Sequence, residues 1–298
     1  MRSDDERMPA DSPVERTLPA PTLATMGTIV SLRLAGFVDE PGSDGGARAH
    51  ALHLVESIFR RWDEQFSLYR SDSELSRVAH GDIRLTEASE SLRNCYALAL
   101  DWRDRTLGVF TPHRADGVID LSGVVKALAI AEAGVALTES GLSNWSINAG
   151  GDVLVSGEPT ERFEAWESAE GVMPVGHRVA VPALTNRHPE WVVAIVNPAD
   201  RGDVIANVPL RNARRAVATS GSAERGEHIW SVHAGEPSPF HQVSVFAADI
   251  VTADVLATAI IAGGEATLAD LTARFAIDVL AVRRDGRLLA TPGLRRAE

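Results

Sequence analysis

Two oxygen-bearing side chains, Asp254 and Thr258, stand four residues apart in an apolar run near the end of the chain. At helical spacing they project from one face, one turn apart. A carboxylate and a hydroxyl so placed suit a hard cation such as Mg²⁺, which keeps its other positions for water and phosphate oxygens. The same residues also read as an ordinary helix start, with Thr252 as N-cap, Asp254 favoured by the dipole and Thr258 bonded back to a carbonyl. A second group is Asp120, Gly123 and Lys126 in Asp120-Leu-Ser-Gly-Val-Val-Lys126. There the free N–H groups of a helix start converge with a cation, which suits an anionic ligand. A capped helix with a solvated lysine would show the same residues. A third is Asn148-Ala-Gly-Gly-Asp152, whose paired glycines either let a backbone approach a ligand or close a tight hairpin. The fourth is Ala218-Thr-Ser-Gly221, followed by Glu224, Arg225, His228 and Trp230. A histidine titrates near neutral pH and can take the proton of a hydroxyl nucleophile.

Taken in order, these strings resemble the ApbE-type FAD:protein FMN transferases, or flavin transferases. Thr252-Ala-Asp-Val-Leu-Ala-Thr-Ala259 departs from the family's Thr-Ala-Asp-Ala-Leu-Ala-Thr-Ala at one position, and Asn148-Ala-Gly-Gly-Asp152 at none. Met26-Gly-Thr28, Phe66-Ser-Leu-Tyr69, Ser73-Glu-Leu-Ser76 and Gly108-Val-Phe-Thr-Pro112 are weaker echoes. The departures are Thr111 for an aspartate, Ser122 and Ala127 for glycines, and Ala131 for a later acid. Ser231-Val-His-Ala-Gly235 also replaces Asp-Pro-Arg-Thr-Gly.

The resemblance implies that Mg²⁺ is held by Asp254, Thr258 and the Gly123 carbonyl, with Asp120 and Lys126 on the phosphate side. It implies that Met26, Tyr69, Val109, Phe110, Thr111 and Trp230 line the flavin or adenine pockets, where aromatic faces suit flat rings. His228 is then the group that accepts the hydroxyl proton. The implied reaction moves FMN from FAD to a threonine or serine hydroxyl of an acceptor flavoprotein and releases AMP. Two alternatives use the same residues: an FAD pyrophosphatase with water as nucleophile, and a non-catalytic FAD-binding protein of the same family.

The elements that must position these residues follow from pattern. A strand is predicted over 25–34, where Val30, Leu32 and Leu34 alternate with polar residues. The glycines from 42 to 46 lead into a helix carrying Leu52, Val55, Phe59 and Trp62 at helical spacing. Residues 66–76 read as turns, and helices are expected over 88–105 and 123–140. Strand, glycine turn and strand follow over 145–155. An irregular insertion occupies 158–189, and strands are expected at 191–196, 204–208, 216–219, 228–232 and 242–247. The chain closes with the Asp254 helix, a separate helix over 266–274, and a hairpin turning at Asp285 and Gly286. Strands and helices intermingle without strict alternation, which favours an α+β architecture over a doubly wound parallel sheet. To this the resemblance adds a T-fold-like mixed sheet core with packed helices, in two intimately packed lobes with FAD in the cleft between them.

Composition bounds the remaining questions. The 298 residues are 45% hydrophobic and 23% charged, ordinary for a globular chain. A net charge of −12 opposes nucleic acid and anionic membranes as partners. Cys95, the only cysteine, lies in an apolar helical pattern and is expected to be a buried thiol. Residues 1–20 are charged and Pro-containing and are expected to be a disordered tail before one domain over 21–298. They lack the apolar core of a secretion signal, and no apolar run is expected to reach membrane-span length. The expectation is a cytoplasmic protein without membrane insertion.

Overall fold

The computed structural model describes residues 21–35, 46–159, 190–211, 213–221 and 237–295. The chain runs through β1 (Thr22–Thr25), β2 (Thr28–Leu34), α1 (Gly46–Phe66), α2 (Glu74–Ala79), a 3-10 turn (Leu85–Glu87), α3 (Glu90–Arg105) and α4 (Ser122–Glu139). It continues through β3 (Trp145–Ala149), β4 (Asp152–Ser156), β5 (Trp191–Asn197), β6 (Asp200–Leu210), β7 (Ala216–Gly221) and β8 (Phe240–Ala247). Helix α5 (Ile250–Arg274), β9 (Asp278–Arg283) and β10 (Leu288–Ala290) close it. Eight strands form one antiparallel sheet in the order β1-β2-β3-β4-β7-β8-β9-β10, and β5 pairs with β6 as a separate hairpin. The α+β expectation holds.

Strand alternation explains the layering. On β7, Ala216 and Ala218 turn to the helices, where Val30, Ile147, Val55, Phe59, Ile130 and Leu137 join them in one cluster. Val217, between them, turns to the opposite face and meets Trp191, Ile195, Val208 and Leu210 of the β5–β6 hairpin. Further along the helical face, Val243, Val245 and Val279 pack against Leu92, Trp102, Val255, Leu256 and Ile260. The middle of the sheet is thus covered on both faces, and its strands carry apolar residues at both parities.

Several expectations need correction. The predicted strand over 25–34 is a hairpin: Met26 and Gly27 have φ of 50° and 68°, and Thr25 pairs with Thr28 across them. Two successive positive φ values make the two-residue turn whose twist matches paired strands. Within the polar stretch after Phe66, Ser73 caps the short helix α2 by accepting the Ser76 N–H at 3.0 Å. The span labelled α5 is, as expected, two helices, which meet at a kink where Gly264 has a non-helical backbone (φ 70°, ψ −152°). Its N-cap is Asp249, not Thr252. The Asp249 side chain accepts the Thr252 N–H at 2.8 Å and the Thr252 hydroxyl at 2.7 Å.

Helix α5 is also long and apolar enough to cross a membrane, with a mean hydropathy of 1.4 over its best window, contrary to the expectation of no such run. Its apolar residues, among them Val255, Leu256 and Ile260, are packed in the core. The expected tail over 1–20, most of the insertion (160–189) and the strand expected at 228–232 lie outside the described residues.

Candidate functional site

The loop between α3 and α4 delivers the first candidates. Val109 packs on α5, where a Cβ on Gly263 would lie 2.9 Å from its Cγ1. Phe110 is buried, and a Cβ on Gly123 would lie 2.8 Å from its ring. Glycine at 123 is therefore what lets the Phe110 ring seat against the start of α4. Thr111 accepts the His113 N–H on its hydroxyl at 3.2 Å, the turn-forming bond an aspartate would make there. The Tyr96 hydroxyl and His113 Nε2, 2.8 Å apart, tie the loop to α3. The Asp120 N–H donates to the Pro112 carbonyl at 2.8 Å, and its carboxylate accepts the Ser122 N–H at 2.9 Å. One of its oxygens is thereby engaged at the first turn of α4.

One turn into α4, Lys126 is 8% exposed and forms an ion pair with Asp152, which is fully buried at the start of β4. Breaking such a pair by removing one partner costs about 3–5 kcal/mol. The other Asp152 oxygen accepts the Thr219 N–H of β7 at 3.0 Å. The β4–β7 register consists of Val153↔Val217 and Leu154↔Ala216. The carboxylate takes up the next exposed amide just past the end of that ladder. The turn preceding Asp152 is also braced: the Asn148 side chain accepts the Gly151 N–H at 2.9 Å, and the Gly150 N–H reaches the Ile29 carbonyl. Gly150 sits against Thr28, so the Met26-Gly-Thr28 and Asn148-Ala-Gly-Gly-Asp152 strings touch.

Ser220, next along β7, points to the helical face. Its hydroxyl lies 3.3 Å from that of Thr258 on α5. Asp254, one turn before Thr258, is 6% exposed. Contacts thus run from α4 through β4 and β7 to α5: Lys126, Asp152, Thr219, Ser220, Thr258. Asp152, Thr219 and Ser220 had no role assigned from the sequence. The signal available was their place inside the two strings that carry the resemblance. Met26 is half-buried in the first turn, Tyr69 stands 94% exposed after α1, and His228 and Trp230 lie outside the described residues.

Among the described residues no three His, Cys, Asp or Glu side chains converge into a self-sufficient metal cage. The donors around the α5 face are a carboxylate and two hydroxyls, with α4 packed against the same helix. Oxygen donors so few fit a hard cation that keeps water and phosphate oxygens as its other ligands, and do not fit zinc.

The fold that gathers these segments superposes on several solved ApbE proteins. Flavin transferase ApbE from Vibrio cholerae is 20% identical and superposes with a TM-score of 0.61 over 92% of this chain and 96% of that one. The ApbE protein of Thermotoga maritima is 18% identical, with a TM-score of 0.67 over 93% and 99%. The apo flavinyl transferase ApbE of Pseudomonas stutzeri is 17% identical, with 0.66 over 92% and 95%. A search of curated proteins returns no significant match. The ApbE family model matches residues 26–118 and 113–281, and the chain belongs to the ApbE family.

Proposed function

We propose that this protein is a Mg²⁺-dependent FAD:protein FMN transferase of one domain over 21–298, acting in the cytoplasm on an acceptor flavoprotein. The observation that carries the reading is the contact series from Lys126 to Thr258, in which four separate segments meet around buried charges and hydroxyls.

The acceptor hydroxyl oxygen attacks the phosphorus of the FMN half of FAD. The bond from that phosphorus to the bridging oxygen breaks, and the electron pair leaves with AMP. His228 takes the hydroxyl proton. Lys126 offers ammonium hydrogens to the diphosphate, and the first-turn N–H groups of α4 add partial positive charge. Asp254, Thr258 and the Gly123 carbonyl would hold Mg²⁺, which when bound neutralises phosphate charge. Met26, Tyr69, Val109, Phe110, Thr111 and Trp230 are assigned to the flavin and adenine ends.

The test is incubation with FAD, Mg²⁺ and a flavoprotein acceptor domain, read as a mass gain of FMN on the acceptor. His228→Ala should slow transfer about a hundredfold while FAD binding changes little. Release of free FMN and AMP at equal rate with or without acceptor would instead make the protein a pyrophosphatase. FAD binding with neither product would make it a binding protein.

A further inference from the structure

Lys126 is the only lysine in the chain, beside 28 arginines among the 29 basic residues. At exposed positions the two residues serve a surface almost equally well. At a buried, geometrically restricted position they do not. The Lys126 side chain is 10% exposed, and its partner Asp152 is wholly buried. One Asp152 oxygen already accepts the Thr219 N–H, and the other is the one paired with Lys126. A guanidinium, with five donors in a rigid fork, would compete with the Thr219 N–H for a bidentate contact and would set its charge in a different place. An ammonium needs only that one oxygen and retains two further hydrogens.

We propose that Asp152 is a positioning residue that clasps the ammonium of Lys126 and the backbone of β7 together, so that the lysine's free hydrogens are held for a diphosphate. The inference rests on the transferase reading for its substrate. It goes beyond that reading in assigning a role to Asp152 and in requiring lysine at 126. The clasp has two arms. One fixes the first turns of α4 through Lys126. The other fixes Thr219, whose neighbour Ser220 meets Thr258 of α5. A single carboxylate therefore sets the spacing between the cation of α4 and the oxygen donors of α5.

The lone lysine supplies its own probe. Protein labelled with ¹³C at lysine Cε gives a single side-chain signal, and FAD or ADP with Mg²⁺ should shift it saturably in the wild type. Lys126→Arg should lose transfer activity about a hundredfold despite keeping the charge, the cost of a misplacement of about an ångström. Asp152→Asn strands a buried charge and can fail to fold. The double variant Asp152→Asn, Lys126→Met removes both charges and should fold, yet transfer about a hundredfold more slowly.

Wild-type transfer by the folded double variant, or full activity in Lys126→Arg, would overturn the clasp. So would a lysine signal indifferent to FAD in an enzyme that transfers FMN. A signal that shifts with FAD in a protein that transfers nothing would overturn the transferase reading and support the clasp as part of a diphosphate site.

Discussion

Asp254 is the residue on which the metal assignment turns. Asp254→Asn keeps the size of the side chain and removes the charge that a hard dication prefers. The expected outcome is loss of Mg²⁺-dependent turnover with the fold retained. Calorimetric titration with Mg²⁺ in the presence of ADP checks it: wild-type metal affinity in the variant would remove Asp254 from the ligand set. Cys95 makes a second prediction, about pH. Desolvation in the core pushes its thiol from 9.0 up to about 12. Between those values the unfolded chain releases the proton and the folded chain keeps it, so stability is complete below pH 9 and falls as pH rises toward 12. The slope approaches about 1.4 kcal/mol per pH unit from this group. Urea midpoints at pH 8 to 10.5 should fall more steeply in the wild type than in Cys95→Ala. At this scale the sequence was most legible where a residue's placement depends on local spacing, as for Asp254 and Thr258, which fall one turn apart on α5. It was least legible for Asp152, because its partners Lys126 and Thr219 are 26 and 67 positions away.

The elements divide along the same line. Helices α3, α4 and α5 and the β9–β10 hairpin were readable because their apolar periodicity and turn residues are local. The β1–β2 hairpin was not, since Met26 gives no hint of a left-handed backbone and the alternation runs straight through it. The break in α5 was legible. The pair Gly263-Gly264 separates two helical patterns, and the backbone kinks there, with Gly264 close to the Pro239 ring. Gly264 has φ 70°, where a side chain is strained. Gly264→Ala should therefore lose about 1–3 kcal/mol. A melting temperature unchanged from the wild type would mean that the kink can relax into a conformation open to any residue.

For the whole molecule the question is what both ends of the substrate contribute. If the protein binds the flavin, the diphosphate and the adenosine together, FAD stabilises it more than FMN or riboflavin at equal concentration. A ligand at a hundred times its Kd adds about 2.7 kcal/mol. Equal shifts in melting temperature with FAD and FMN would show that the adenosine half goes unrecognised. The α+β class was legible from the mixture of strands and helices. The three-layer arrangement was not, because nothing in the β5 and β6 sequences says that their apolar faces close over Val217 and Phe246 rather than extend the sheet.

The sheet ends in two of its shortest strands. β1 has four residues and follows Pro21, while β10 has three and is followed one residue later by Pro292. Proline donates no amide hydrogen, and so few free backbone groups make a poor template for another strand. The rim of this sheet is thereby blunted against polymerisation. A visiting protein gains little by lengthening the sheet, and its recognition must come from side chains.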